Sequence, residues 1–216
     1  MGKFDEYKLP LQTLVEQYMW IKALKRSVDE LFENDKIIKL MERMAKEFFQ
    51  QLNVLMIHQL ILSYCKFTDP STKMGSNLTI DYFTSIKEDE ICNNENIKTG
   101  LSQVNAFRNY IVPARNKIIA HNDLETHIAF KELGGFPEGD DNKFINGIES
   151  ILNELSRIIN GDIYGDFIET LSGDVFDFIK ILRYANGMLE MFENERDDQE
   201  LFHKIVNYMG IGRTEI

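Results

Sequence analysis

A chain of 216 residues with 44% hydrophobic and 27% charged residues can bury a sizeable core, which argues against wholesale disorder. Its formal charge of −11 argues against a protein that coats nucleic acid by neutralising phosphates. A small cationic site stays compatible with that charge, because salt confines surface fields to about 8–10 Å.

The two cysteines, Cys65 and Cys92, sit in unlike contexts and read as reduced thiols of a cytoplasmic protein. Lys3 is followed at once by Asp5 and Glu6, so no signal peptide is expected. Apolar runs such as Val54–Ile57 are too short to span a bilayer, so no membrane partner is expected.

In chain order, Leu14, Val15, Tyr18, Ile21, Leu24, Val28, Leu31 and Phe32 recur at steps of three and four and predict an amphipathic helix over 11–32. Asp35 is the expected N-cap of the next helix. There Ile37, Met41, Met44, Phe48, Leu52, Leu55 and Leu62 keep helical spacing to about Lys66 and read as a core stripe. His58, in the most apolar part of that helix, is expected to be a buried, hydrogen-bonded structural residue.

Asp69-Pro70-Ser71-Thr72 and Gly75-Ser76-Asn77 mark a loop, followed by a short helix over 78–86 opened by Asn77 or Thr79. Residues 87–96 read as a mobile connection. Helix resumes over 97–121, with a kink or restart near Val112 because Pro113 removes a backbone donor. After a loop at Gly134-Gly135 and Pro137, Asp140 or Asp141 is expected to cap a helix ending at Asn160-Gly161. Two last helices are predicted over 174–195 and 199–209. No run has the period of two that a strand requires, so the fold class is all-α, a helical bundle around two long central helices. We expect one domain over 1–216, with its core at about 11–160 and a helical extension at about 161–216.

The segment Pro113-Ala114-Arg115-Asn116-Lys117-Ile118-Ile119-Ala120-His121-Asn122-Asp123 gathers groups with chemistry in them. Arg115 offers a permanently charged fork of donors suited to phosphate. His121 is the side chain best able to move a proton near neutral pH, and Asn116 adds an orienting amide. Metal-free RNA cleavage needs these parts: a base for the 2′-hydroxyl and a cation for the charge that develops on phosphate. Arg115 and His121 are six residues apart, about 600° of rotation, and so do not share a face of an ideal helix. They converge if the helix unwinds before His121, or if two chains pool their side chains.

An Arg, a polar residue and a His a few positions on, near a helix end, resemble the signature of HEPN ribonucleases. The string Arg115–Asp123, together with Leu60–Pro70 and Asn77-Leu78-Thr79, is similar to the AbiU-type branch linked to abortive phage infection. The resemblance implies an all-α homodimer with facing motifs and a metal-independent endoribonuclease acting as a toxin or antiphage factor. It also implies Arg115, Asn116 and His121 as catalytic residues, RNA (tRNA or mRNA) as substrate, and a cognate antitoxin protein as partner. Lys66 stands where the family often has Arg. The alternative within the family is a non-catalytic module that binds nucleotide or RNA, or serves in dimerisation.

No cofactor and no metal are expected. His121, Asp123, Glu125 and His127 alternate as ligands on a strand would, but nothing argues for a strand there. Asp162 and Asp166 lack the other oxygens of a calcium loop.

Overall fold

The computed structural model describes residues 2–71, 77–120, 135–165 and 173–194. Their regular structure is helical, and no strand occurs among the described residues. After a 3₁₀ turn at Asp5–Tyr7 come α1 (Lys8–Phe32), α2 (Asp35–Thr68), α3 (Ile80–Thr84), α4 (Asp89–Cys92) and α5 (Glu95–Ala114). A π-helical stretch, Arg115–Ala120, continues α5, and α6 (Asp140–Asn160) and α7 (Val175–Asn194) follow. The all-α class is as expected. The predicted helix over 199–209 lies outside the described residues.

The chain divides into two compact units, residues 1–28 with 53–169 and residues 29–52 with 170–216. The first holds the larger core. Leu11, Leu14, Val15, Tyr18 and Ile21 of α1 form one apolar stripe and join Tyr64, Cys65 and Phe67 of α2. Val104, Phe107 and Ile111 of α5 and Phe144, Ile148, Ile151, Leu152 and Leu155 of α6 join the same core, as do Ile80 and Phe83 of α3 and Ile91 of α4. Rings knit its centre: Phe144 lies 4.7 Å from both Tyr64 and Phe107, centroid to centroid. Polar ties hold α1 to α6, with Lys22 at 2.6 Å from Glu149, Lys25 at 3.0 Å from Asp141, and the Tyr18 hydroxyl donating to Glu149 at 2.8 Å. Burial, and then the bond to Glu149, push the Tyr18 phenol far up, so it stays protonated and remains a donor.

In the second unit Leu31, Ile37, Met41, Phe49, Val175, Ile179 and Leu182 are buried. Phe49 and Phe178 approach with centroids 6.3 Å apart, and Arg43 binds Asn186, Glu190 and Glu193 along α7. The backbone leaves the helical region at Ala45, inside α2.

Several local expectations need correction. Asn34, not Asp35, opens α2: its side-chain oxygen accepts from the Lys36 N–H, and its carbonyl accepts from Ile37 and Ile38. The connection over 87–96 contains α4, with Ile91 buried, and Asn94 caps α5 by accepting from the N–H groups of Asn96 and Ile97. Gly139, with a left-handed φ of 81°, precedes α6. Asp140 and Asp141 instead occupy the first turn, where carboxylates suit the helix dipole, and reach Lys143 and Lys25. The predicted end of α6 holds, with Gly161 at φ 82°.

The expected core stripe of α2 is only partly buried. Ile37 and Met41 are core residues, whereas Phe48 is 60% and Leu55 65% exposed. His58 is half-buried rather than buried. Helical spacing shows which residues share a face but not what covers that face.

Candidate functional site

The site begins where α2 ends. Thr68 closes α2, and Asp69 is followed by Pro70, which disfavours helical backbone in the residue before it and so helps to end the helix. The Ser71 N–H donates to the Asp81 carboxylate at 2.8 Å, anchoring this turn to α3. Across from it runs the end of α5. The kink expected near Val112 appears later and in another form: α5 runs through Pro113 to Ala114, and the backbone widens into the π-helix from Arg115. Pro113 has no N–H to give the preceding turn, which weakens the ladder just where the widening starts. Arg115 is therefore the first residue of an irregular helical segment, a setting that recurs at functional positions.

The side chains converge on Asp69. Its Oδ2 accepts from Arg115 Nη1 at 2.7 Å, and its Oδ1 from Arg108 Nη2 at 3.3 Å. Arg108 Nη1 also donates to Thr68 Oγ1 at 2.6 Å, and the Thr68 hydroxyl donates to the Tyr64 carbonyl at 2.7 Å. Arg115 Nε donates to Asn116 Oδ1 at 3.0 Å. A continuous network thus runs from the core carbonyl of Tyr64 to the exposed amide of Asn116. Its three charged side chains are neither dry nor free in solvent: Arg108 is 16%, Arg115 25% and Asp69 28% exposed. Charge-assisted pairs at this depth are stronger than surface pairs and hold their geometry.

Cys65 is buried on the same stretch of α2. Burial pushes its thiol up, opposed by Arg115 and Arg108, so it remains a neutral neighbour.

Of the residues picked out in the sequence, Arg115 and Asn116 are in direct contact, while His121 lies outside the described residues. So do Asp123, Glu125, His127 and Asp166. Among the described residues no three His, Cys, Asp or Glu side chains gather as metal ligands would. No helix among the described residues is long and apolar enough to cross a membrane. Arg108 is not among the candidates the sequence offers, although it stands seven residues before Arg115 and so falls on the same helix face, about 20° short of two full turns. Lys66 is exposed, and the second cation on Asp69 is Arg108.

Neither the curated proteins nor the solved structures contain a significant match to the chain. A family model described as AbiU2, of the HEPN class, matches residues 11–183, a span that includes Asp69, Arg108, Arg115, Asn116 and His121. On that match over most of its length, the chain belongs to the AbiU2 family of HEPN proteins.

Proposed function

We propose that this HEPN protein is a metal-independent endoribonuclease of the toxin or abortive-infection type, acting on tRNA or mRNA in the cytoplasm. The observation that carries the reading is Arg115: a guanidinium fixed by Asp69 on one side and tied to Asn116 on the other, at the start of a π-helical segment six residues before His121.

Each group has a defined task. His121 accepts the proton of a ribose 2′-hydroxyl, and the freed oxygen attacks the adjacent phosphorus. The bond from phosphorus to the 5′ oxygen breaks as that leaving oxygen takes up a proton. The products are a 2′,3′-cyclic phosphate and a 5′-hydroxyl end. Arg115 neutralises the charge that grows on the phosphate oxygens, and its orientation is set before the substrate arrives. Asn116 steadies Arg115 and offers its amide N–H groups to the ribose or the phosphate.

A homodimer with the two Arg115–His121 segments facing each other is the assembly we infer. It would let one chain's Arg115 work with the other chain's His121, removing the mismatch of the two on a single ideal helix. A cognate antitoxin protein would cover this face. The second reading, a non-cleaving module that binds nucleotide or RNA, is favoured by one observation: Asp69 already occupies part of the Arg115 fork.

The test is direct. Chelator-stripped protein is incubated with an end-labelled RNA, and the new 3′ ends are identified. Cyclic phosphate ends that vanish with folded His121→Ala protein support the nuclease. Intact RNA, or cleavage that requires added magnesium or manganese, rejects it.

A further inference from the structure

The two oxygens of Asp69 face different arginines, Oδ2 toward Arg115 and Oδ1 toward Arg108. If Arg115 alone met this carboxylate, the pair would be neutral, and an incoming phosphate would have to displace Asp69 to gain any attraction. Arg108 changes that balance. One carboxylate between two guanidiniums leaves a single net positive charge on the cluster. The neighbouring Cys65 is held as the neutral thiol by burial and subtracts nothing.

We propose that Arg108 is a positioning residue of the Arg115 site, sharing Asp69 so that Arg115 is held in place while the cluster stays cationic toward the phosphates of an RNA strand. This rests on the RNA-directed reading above, though not on cleavage. Arg108 is built for the task. Its second nitrogen is tethered to the Thr68 hydroxyl, which is buried and tied in turn to the Tyr64 carbonyl. It is also the deeper of the two arginines. It braces the carboxylate from the core side and leaves Arg115, at the junction with the π-helix, nearer to solvent. In a chain of formal charge −11, attraction for a polyanion must come from such a local surplus, which acts within about 8–10 Å before salt screens it.

Net charge distinguishes this role from a purely structural one. Arg108→Gln removes the surplus, and adding Asp69→Asn to it restores one net positive charge without restoring the lost contact. The probe is a fluorescent 2′-O-methyl RNA oligonucleotide, which has no 2′-hydroxyl to attack, and anisotropy gives the Kd. Arg108→Gln should weaken binding about tenfold, the usual worth of one charge-assisted contact. It should also reduce the log–log salt slope by about 0.7, as expected for one phosphate contact fewer. Arg108→Lys should stay near wild type, and Arg108→Gln with Asp69→Asn should recover most of the loss.

Wild-type affinity in Arg108→Gln, or a double variant no tighter than Arg108→Gln, overturns the proposal. Should Arg108→Gln fail to fold, Asp69→Asn alone decides: it must bind more tightly than wild type, and equal or weaker binding overturns the proposal. A protein that follows this pattern yet leaves unmodified RNA intact refutes the nuclease and keeps the role of Arg108. A wild-type protein that does not bind the oligonucleotide refutes the role of Arg108 whether or not cleavage is seen.

Discussion

Gly100 of α5 and Gly147 of α6 meet backbone to backbone: a Cβ placed on Gly100 would lie 2.7 Å from the Gly147 carbonyl oxygen and 2.7 Å from Ile151 Cγ1. The contact draws together the two helices that carry Phe107 and Phe144, and α5 leads on to Arg115. Because the obstructing atom is a carbonyl oxygen and not a flexible tip, the helices must move apart to admit a methyl group. Gly100→Ala should cost about 1–3 kcal/mol, the usual range for overpacking, despite the better helix propensity of alanine. Gly187 in α7 is the control, since nothing lies within 4 Å of its would-be Cβ. Gly187→Ala should raise stability by about 0.5–1 kcal/mol. Urea titrations of the two variants check both signs.

The cysteines should react very differently. Cys65 is fully buried, and burial pushes its thiol up, whereas Cys92 is exposed with its Sγ 3.1 Å from the Ile86 carbonyl. The thiolate is the reactive form, so a water-soluble alkylating reagent at neutral pH should modify Cys92 quickly and Cys65 only when the fold opens. Intact mass should show one label on the native protein and two in denaturant. Rapid double labelling under native conditions would contradict the packing of Cys65.

Glu154 predicts a pH dependence of known sign. Its carboxylate lies below the ordinary value of 4.5, first because Arg157 donates to it, with burial opposing and the side-chain amides of Asn94 and Asn96 assisting. A carboxyl whose folded pKa is depressed adds stability above its unfolded value, and that stability is lost as pH falls through the folded value. Glu154→Gln should therefore cost about 1 kcal/mol or less at neutral pH, because Arg157 is exposed and the pair is screened. The difference from wild type should shrink as pH drops from above 4.5 to below the depressed value. Melting curves of both proteins at a series of pH values give the comparison.

Much of the helical frame could be read from residue spacing, and the reasons for the misses are physical. Phe144, Ile148, Ile151, Leu152 and Leu155 mark one face of α6, and all are buried. Phe48 and Leu55 obey the same periodicity on α2 and are exposed, because periodicity identifies a face and only the tertiary fold decides whether it is covered. At the site, Arg115 and Asn116 were legible as neighbours with suitable chemistry. The clamp was not, because Asp69 is 39 residues from Arg108 and 46 from Arg115 in the chain. The seven-residue step from Arg108 to Arg115 was the available clue, since it puts two cations on one helix face with no acid on that helix to answer both. A carboxylate from elsewhere had to meet them, and a helix stopped by Pro70 supplies it.

The form of the cation at position 115 tests the mechanism most sharply. Arg115 makes two directional contacts, Nη1 to Asp69 at 2.7 Å and Nε to Asn116 at 3.0 Å, which fix the plane of the guanidinium. If that plane orients the fork toward a phosphate passing through its transition state, charge alone will not replace it. Lysine offers a compact ammonium on a flexible stem, which keeps the charge but has no planar fork to orient. Arg115→Lys should thus bind the uncleavable oligonucleotide within a few-fold of wild type while its kcat falls about 10²–10³-fold, the usual effect of losing a preorganised charge-stabilising donor. Arg115→Ala should lose both binding and turnover, leaving Asp69 paired with Arg108 alone. Asn116→Ala should lower kcat more mildly, because Asp69 still holds the fork. Single-turnover cleavage and anisotropy on the same protein samples separate the two quantities. If Arg115→Lys cleaves like wild type, the site needs only a charge at this position. The orientation imposed by Asp69 and Asn116 would then have no part in the reaction.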